Sequence, residues 1–350
     1  YYEEAMFPPL RVPKEEVDAA TRSRQEYRLR PMNCPHHHRV FAAQPRSYRD
    51  LPLRLAEYGH VYRWEPSGSL SGLARVRGMC VNDGHIYCTR EQVAGELDSV
   101  LAMYQRAYAI LGITRYHLRL SLRDDSDRDG KYVDDPDAWA WSQRALTDAL
   151  VRNNLDYQLG RGHAAFYGPK IDVQVPTDVS THETLSTIQI DFVQPSRLGL
   201  SYVARGGDKQ TPICIHRAPL STHERLVAML LEIHRGAFPT WLAPVQVMVV
   251  PVNDDLREYA AQLVARLRSG GFRARLAREA ESVAHNVHAA TAQRIPNTLV
   301  VGQREREQRT VTLRRLGWRE QVTLGEGEFE GRLRETVDQR APTFVLGDGG

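Results

Sequence analysis

The residues with most chemistry in them lie between Tyr62 and Gly78, in YRWEPSGSLSGLARVRG. Arg63 and Glu65 stand two apart, so along an extended strand they share a face. Arg75 and Arg77 do the same on the return segment. A loop rich in Ser, Gly and Pro joins the two arms, and the pattern reads as a long hairpin with an arginine on each arm. Two guanidinium groups directed at one pocket suit a polyphosphate, because arginine offers a planar, always-charged donor fork. A glutamate beside them accepts from an amine. An exposed, salt-bridged hairpin has the same spacing, so spacing alone leaves both readings open.

A second set is Cys34 in MNCP, His85 in NDGH and His216 in ICIHR. All three fall at or just past the ends of expected strands, where a sheet converges side chains over one pocket. One Cys with two His is a common zinc set that keeps a fourth position open. Neighbours compete for the role. His36, His37 and His38 follow Cys34, Cys88 follows His85, and Cys214 shares a strand face with His216. Core thiols and surface imidazoles account for the same residues.

The elements that must position these groups follow from pattern. Residues 27–30 read as a strand ended by Pro31, with a helix start at Pro35. Residues 47–58 alternate in a way that fits a strand or a short helix. VNDGHIYC is a strand end. A helix with Thr89 as cap carries Val93, Leu97, Leu101 and Tyr104 at helical spacing and stops at Gly112. Residues 116–122 alternate as a strand, and RDDSDRDGKYVDD is a charged surface loop. A second helix spans 136–153, with Trp139, Leu146 and Leu150 inward. Residues 160–168 form a turn-rich entry to the strand KIDVQV. TLSTIQIDF and TPICIH are further strands, and LSTHERLVAMLLEIHRG is an amphipathic helix. No regular βαβ repeat appears, which favours an α+β domain.

The grammar changes at PTWLAP, so the first domain is expected over 1–243 and the second over 244–350. Beyond the boundary, strand VQVMVVPV, helix DDLREYAAQLVARLRSGG, strand FRARLA, helix SVAHNVHAATAQ and strand NTLVVG make a β-α-β-α-β module. QRTVTLRRL and REQVTLG add a hairpin, a helix covers 329–337, and RAPTFVLGDGG reads as a frayed tail.

The chain of 350 residues suffices for two domains, and 42% hydrophobic with 25% charged residues fits a globular protein. A net charge of +3 permits a nucleic-acid partner without requiring one. No apolar run approaches the roughly 18 residues of a membrane span, and YYEEAMFPPL lacks a signal-peptide layout. Four cysteines are no disulfide scaffold, which points to a reducing compartment.

R-x-E, a loop and then R-V-R-G closely resembles motif 2 of the class II aminoacyl-tRNA synthetases. The wider series RPMNCP, SYRDLPLRLAEYG, EPSGSLSGLARVRG and DGHIYC resembles the threonyl-tRNA synthetases of class IIa. The resemblance implies a catalytic domain built on an antiparallel sheet flanked by helices, followed by a compact α/β anticodon-binding domain. It implies a cytoplasmic threonine–tRNA ligase, with L-threonine, ATP and tRNA(Thr) as partners and no membrane. Threonine carboxylate attacks the α-phosphate of ATP, pyrophosphate leaves, and the acyl group passes to the terminal adenosine of the tRNA. One zinc per chain is implied at Cys34, His85 and His216, where it binds the amino group and hydroxyl of threonine and so excludes valine. Mg2+ accompanies ATP.

The resemblance also assigns roles. Arg63 holds the α-phosphate, Glu65 the adenine edge and Arg75 the γ-phosphate. Asp83 orients the amine of threonine. Tyr167 and Lys170 line the substrate pocket, and Thr187 and Gln189 lie beside ATP and the acceptor end. Arg225 is the motif 3 arginine, and Met32 and Thr222 complete the binding set. In the second domain Arg314 and Arg315 approach the anticodon, with Arg294, Arg304 and Arg306 available for phosphates. No editing domain is recognised in these residues, so the chain alone is expected to make some Ser-tRNA. Motif 1, which carries much of the family's dimer interface, is not recognised either. A homodimer is expected where motif 1 is present in the full-length protein.

The sequence departs from the family at Ser221 in place of glycine, at Val81 in place of glutamine, at TLS (184–186) in place of QCG, and at Trp64. A synthetase-like paralogue with altered or lost catalysis is therefore the alternative, and threonine-dependent pyrophosphate exchange separates the two.

Overall fold

The computed structural model describes residues 5–11, 26–124, 126, 130–176, 183–279 and 281–346. Two compact units, Tyr1–Met229 and Leu230–Gly350, make up the chain.

Among the described residues, the first unit forms a seven-stranded sheet of β1 (Leu53–Tyr62), β2 (Gly78–Cys88), β3 (His117–Leu122), β4 (Tyr157–Arg161), β5 (Lys170–Val175), β6 (Glu183–Asp191) and β7 (Ile213–Ala218). The order is β1-β2-β7-β6-β5-β3-β4. Every pair is antiparallel except β3 with β4. Helix α1 (Cys34–Ala42) begins with Pro35 in its first turn. Helices α2 (Val93–Leu111) and α3 (Pro136–Arg152) cover one sheet face. Leu97, Leu101 and Tyr104 of α2 and Leu146 and Leu150 of α3 are buried there with Ile171, Ile188 and Ile215. Each such side chain contributes roughly 1.5–3 kcal/mol on leaving water. Gly112 ends α2 with φ of 71°, a conformation that favours glycine.

Because side chains alternate along strands, the opposite face collects the polar groups. Strand register then fixes their order. His85, His216, Gln189 and Lys170 fall in one row across β2, β7, β6 and β5. Tyr87, Cys214 and Asp191 form the row beside it. On the far side, Glu57 pairs with Asp83. Helix α4 (His223–Ile233) follows β7.

The second unit forms a five-stranded sheet of β8 (Val247–Pro251), β9 (Ala274–Leu276), β10 (Asn297–Val301), β11 (Thr310–Arg315) and β12 (Gln321–Gly325), ordered β9-β8-β10-β11-β12. Strand β8 runs parallel to β9 and β10, and the last two strands are antiparallel. Helices α5 (Arg257–Ser269), α6 (Val283–Ala292), α7 (Gln303–Gln308) and α8 (Glu326–Asp338) complete it.

Several expectations need correction. Arg63, Glu65, Arg75 and Arg77 do not sit on strands, because β1 ends at Tyr62 and β2 starts at Gly78. The strand expected over 27–30 is only Glu26–Tyr27. Residues 53–62 form the strand left open between two readings. Thr89 does not cap α2, which starts at Val93; the side chain of Gln92 accepts the Thr89 N–H instead. The turn expected from residue 160 begins inside β4. Helix α7 was not anticipated. The tail is not frayed at Phe344, which is buried and stacks on Phe329 with ring centroids 5.5 Å apart. Residues 125, 127–129 and 347–350 of the expected loop and tail lie outside the described residues.

Candidate functional site

Cys34, His85 and His216 converge over the polar sheet face. Their ligand atoms all lie within 4.8 Å of one another. Cys34 arrives at the start of α1, and the two histidines face each other across the β2/β7 register. Nδ1 of His216 is 3.5 Å from Sγ of Cys34, while its Nε2 is 2.9 Å from Oδ2 of Asp191. Nδ1 of His85 is 2.7 Å from Nδ1 of His37. Nε2 of His85 is buried and has no hydrogen-bond partner, an arrangement that costs about 1–3 kcal/mol unless a ligand takes the atom. Burial, reinforced by the neighbouring histidines, holds the His85 pKa well below 6.5, so the ring keeps a lone pair to give. Burial lowers His216 too, but Cys214, Tyr167, Cys34 and Asp191 reverse the shift, so its surroundings favour positive charge. These residues can hold a metal ion, and one Cys with two His fits the donor preference of zinc.

A cavity of about 390 Å³ opens beside this cluster. Of the expected site residues, Met32, Cys34, Arg63, Asp83, Tyr167, Thr187, Gln189 and His216 line it. The ring of Tyr167 stacks on His216 at 5.2 Å, and its hydroxyl donates to Gln189. Asp83 accepts from the Asn33 side chain at 3.1 Å, and burial raises its pKa. A Cβ on Gly59 would overlap Asn33, so glycine leaves Asn33 its place.

Other expected residues sit elsewhere. Glu65 and Arg75 are an ion pair of 2.9 Å in the 63–77 loop. Arg77 braces that loop, donating to the Glu65 carbonyl and stacking 4.5 Å from the Trp64 ring. Arg225 sits in the first turn of α4. Its Nε donates to the Ala74 carbonyl at 3.1 Å, beside Arg75. Thr222 caps α4, with its hydroxyl accepting from Arg225 N–H. Lys170 is bound to buried Asp172 at 3.0 Å, which Arg119 and Ser121 also contact. Ser221 has φ of 56°, the left-handed region where glycine is at ease. In the second unit, Arg315 packs 3.9 Å from the ring centroid of Trp318, whereas Arg314 shares the other strand face with Thr312.

Asp191 and Glu57 were not foreseen at the site, and His37, weighed only as a rival ligand, is a partner of His85. A signal for Asp191 was present, since Thr187, Gln189 and Asp191 alternate along one strand.

Residues 16–234 match the tRNA synthetase class II core domain (G, H, P, S and T), and residues 246–336 match the anticodon binding domain. The fold superposes on the RNA binding domain of threonyl-tRNA synthetase from Cryptosporidium parvum Iowa II with a TM-score of 0.84. That match has 32% identity and covers 99% of this chain and 82% of the other. The chain belongs to the threonyl-type class II aminoacyl-tRNA synthetases. Threonine–tRNA ligases of Geobacillus kaustophilus (43% identical over 341 residues) and Staphylococcus aureus (44% over 338) are among the relatives of this synthetase chain. Each alignment covers 51% of the relative, so the chain spans about half the length of these ligases. Among the described residues no helix is long and apolar enough to cross a membrane.

Proposed function

We propose that this chain activates L-threonine with ATP and passes the threonyl group to the terminal adenosine of tRNA(Thr). The observation that carries the proposal is the unpartnered Nε2 of His85, grouped with Cys34 and His216, which line a cavity together with Arg63, Asp83 and Gln189. Cys34, His85 and His216 would hold zinc, which would supply a Lewis-acid position for the amino group and hydroxyl of threonine. Valine matches the shape but brings no oxygen, and a site built around a hydroxyl rejects such an analogue strongly.

The protein groups do the rest. Asp83 accepts from an N–H of the substrate amine. Tyr167 and Gln189 shape the pocket, with Met32 at its edge. Arg63 neutralises the α-phosphate as the threonine carboxylate attacks phosphorus and the bond to pyrophosphate breaks. Arg75 and Arg225 hold the outgoing phosphates, with Mg2+ travelling as part of the ATP complex. Glu65 turns from Arg75 to the adenine edge when ATP enters. Thr187 sets the acceptor side, Lys170 supports the substrate pocket through its ion pair with Asp172, and Thr222 keeps Arg225 aligned.

The functional boundary is placed at 243/244, and Arg314 is the leading contact to the anticodon loop. Arg315, committed to Trp318, steadies the strand. A homodimer in the cytoplasm completes the proposal. Threonine-dependent ATP–pyrophosphate exchange tests it: folded, zinc-loaded chain that gives no exchange contradicts it.

A further inference from the structure

We infer that His37 and Glu57 are positioning residues that fix His85 as the tautomer with its proton on Nδ1, leaving the Nε2 lone pair turned toward the metal. The inference rests on the zinc assignment proposed above. Nε2 of His37 lies 3.2 Å from Oε1 of Glu57. A carboxylate only accepts, so the proton of His37 sits on Nε2. The bare Nδ1 of His37 then only accepts, and the atom 2.7 Å from it is Nδ1 of His85. That proton therefore belongs to His85 Nδ1, and the remaining ring nitrogen is bare. It is the same Nε2 that is buried without a partner. The reverse arrangement places a proton on Nε2, where it meets no acceptor, and abolishes the donor pair. Only one direction of the chain lets His85 serve as a ligand.

The elements explain how the relay is built. His37 follows Cys34 by three positions on α1, so both point from one helix face. Cys34 reaches the cluster while His37 reaches the rear of His85. Glu57 stands across from Asp83 on the neighbouring strand, two residues short of His85 and on the same face. Arg30 holds its other oxygen at 3.4 Å. Second partners of this kind orient metal-ligating histidines and affect affinity by about 10–100-fold.

The test uses the full chain and zinc alone. Zinc affinity is measured by chelator competition for the parent, His37→Leu, His37→Asn and Glu57→Gln, with circular dichroism to verify folding. The Asn amide oxygen occupies the place of Nδ1 and still accepts. His37→Leu is expected to weaken zinc binding by about 10–100-fold, and His37→Asn to recover most of the loss. Long-range 15N NMR of the parent is expected to show the His85 proton on Nδ1, a reading that needs no variant to fold. Parent-like affinity in folded His37→Leu, or a His85 proton on Nε2, overturns the inference while leaving the zinc assignment standing. A parent chain that takes up no zinc overturns the assignment and the inference with it.

Discussion

Oδ2 of Asp191 lies 2.9 Å from Nε2 of His216, and Oδ1 of the same carboxylate accepts the backbone N–H groups of Val193 and Gln194, each at 2.8 Å. The two oxygens have fixed and different duties. Asp191→Asn must present its amide oxygen to the two backbone donors, which turns its NH2 toward His216. The imidazole then accepts at Nε2 and carries its proton on Nδ1, the nitrogen facing Cys34. Zinc affinity is expected to fall by about 10–100-fold, read by chelator competition, with little change in the unfolding midpoint.

Arg225 reaches back to the Ala74 carbonyl and so ties α4 to the loop that carries Arg75. Arg225→Ala removes that tether together with the phosphate contact proposed for this arginine. Pyrophosphate exchange is expected to drop by about 10²–10³. Zinc content should stay at the parent level, because Arg225 lies outside the ligand set.

Gly168 follows Tyr167 and packs onto the backbone of β6. A Cβ there would overlap the Ile190 carbonyl oxygen, a backbone atom with no room to yield. Gly168→Ala should cost about 2 kcal/mol or more in chemical denaturation and raise the threonine KM by shifting Tyr167.

The sequence displayed the elements of both units because their signals are local, whereas the Cys34, His85 and His216 cluster was legible only through the family resemblance. Strand alternation and helix periodicity sit within a few residues and put Cys34 at a helix start, but His85 and His216 lie inside β2 and β7 and not at their ends as expected. The second layer was hidden because it depends on register. Nothing in DGHIYC says that His85 lies opposite His216, or that Glu57 reaches His37 from another strand. The motif 2 arginines were legible as a set, but not as a loop braced by Arg77 on Trp64, since packing between side chains decides that conformation. Ser221 was legible as a departure from glycine, and its φ of 56° supplies the physical reason for glycine there.

In the second unit, buried Glu326 meets Arg266 at 2.5 Å and accepts from the Tyr259 hydroxyl. Burial alone would raise its pKa, but Tyr259 and Arg266 outweigh it and hold it below 4.5. A carboxylate with a depressed pKa in the folded state stabilises above its unfolded value and loses that contribution as pH falls through the folded one. Glu326→Gln is expected to cost about 1–2 kcal/mol at pH 7. The gap between parent and variant should close as pH falls below 4.5, as thermal melts across that range will show.

The most direct measurement is ATP–pyrophosphate exchange with threonine, valine and serine, run on zinc-loaded and chelator-stripped chain with bound zinc quantified on the same sample. The account predicts exchange with threonine, very little with valine, appreciable exchange with serine, and loss of the threonine signal on stripping that returns with zinc. Valine accepted as readily as threonine, or threonine exchange indifferent to zinc, would contradict it.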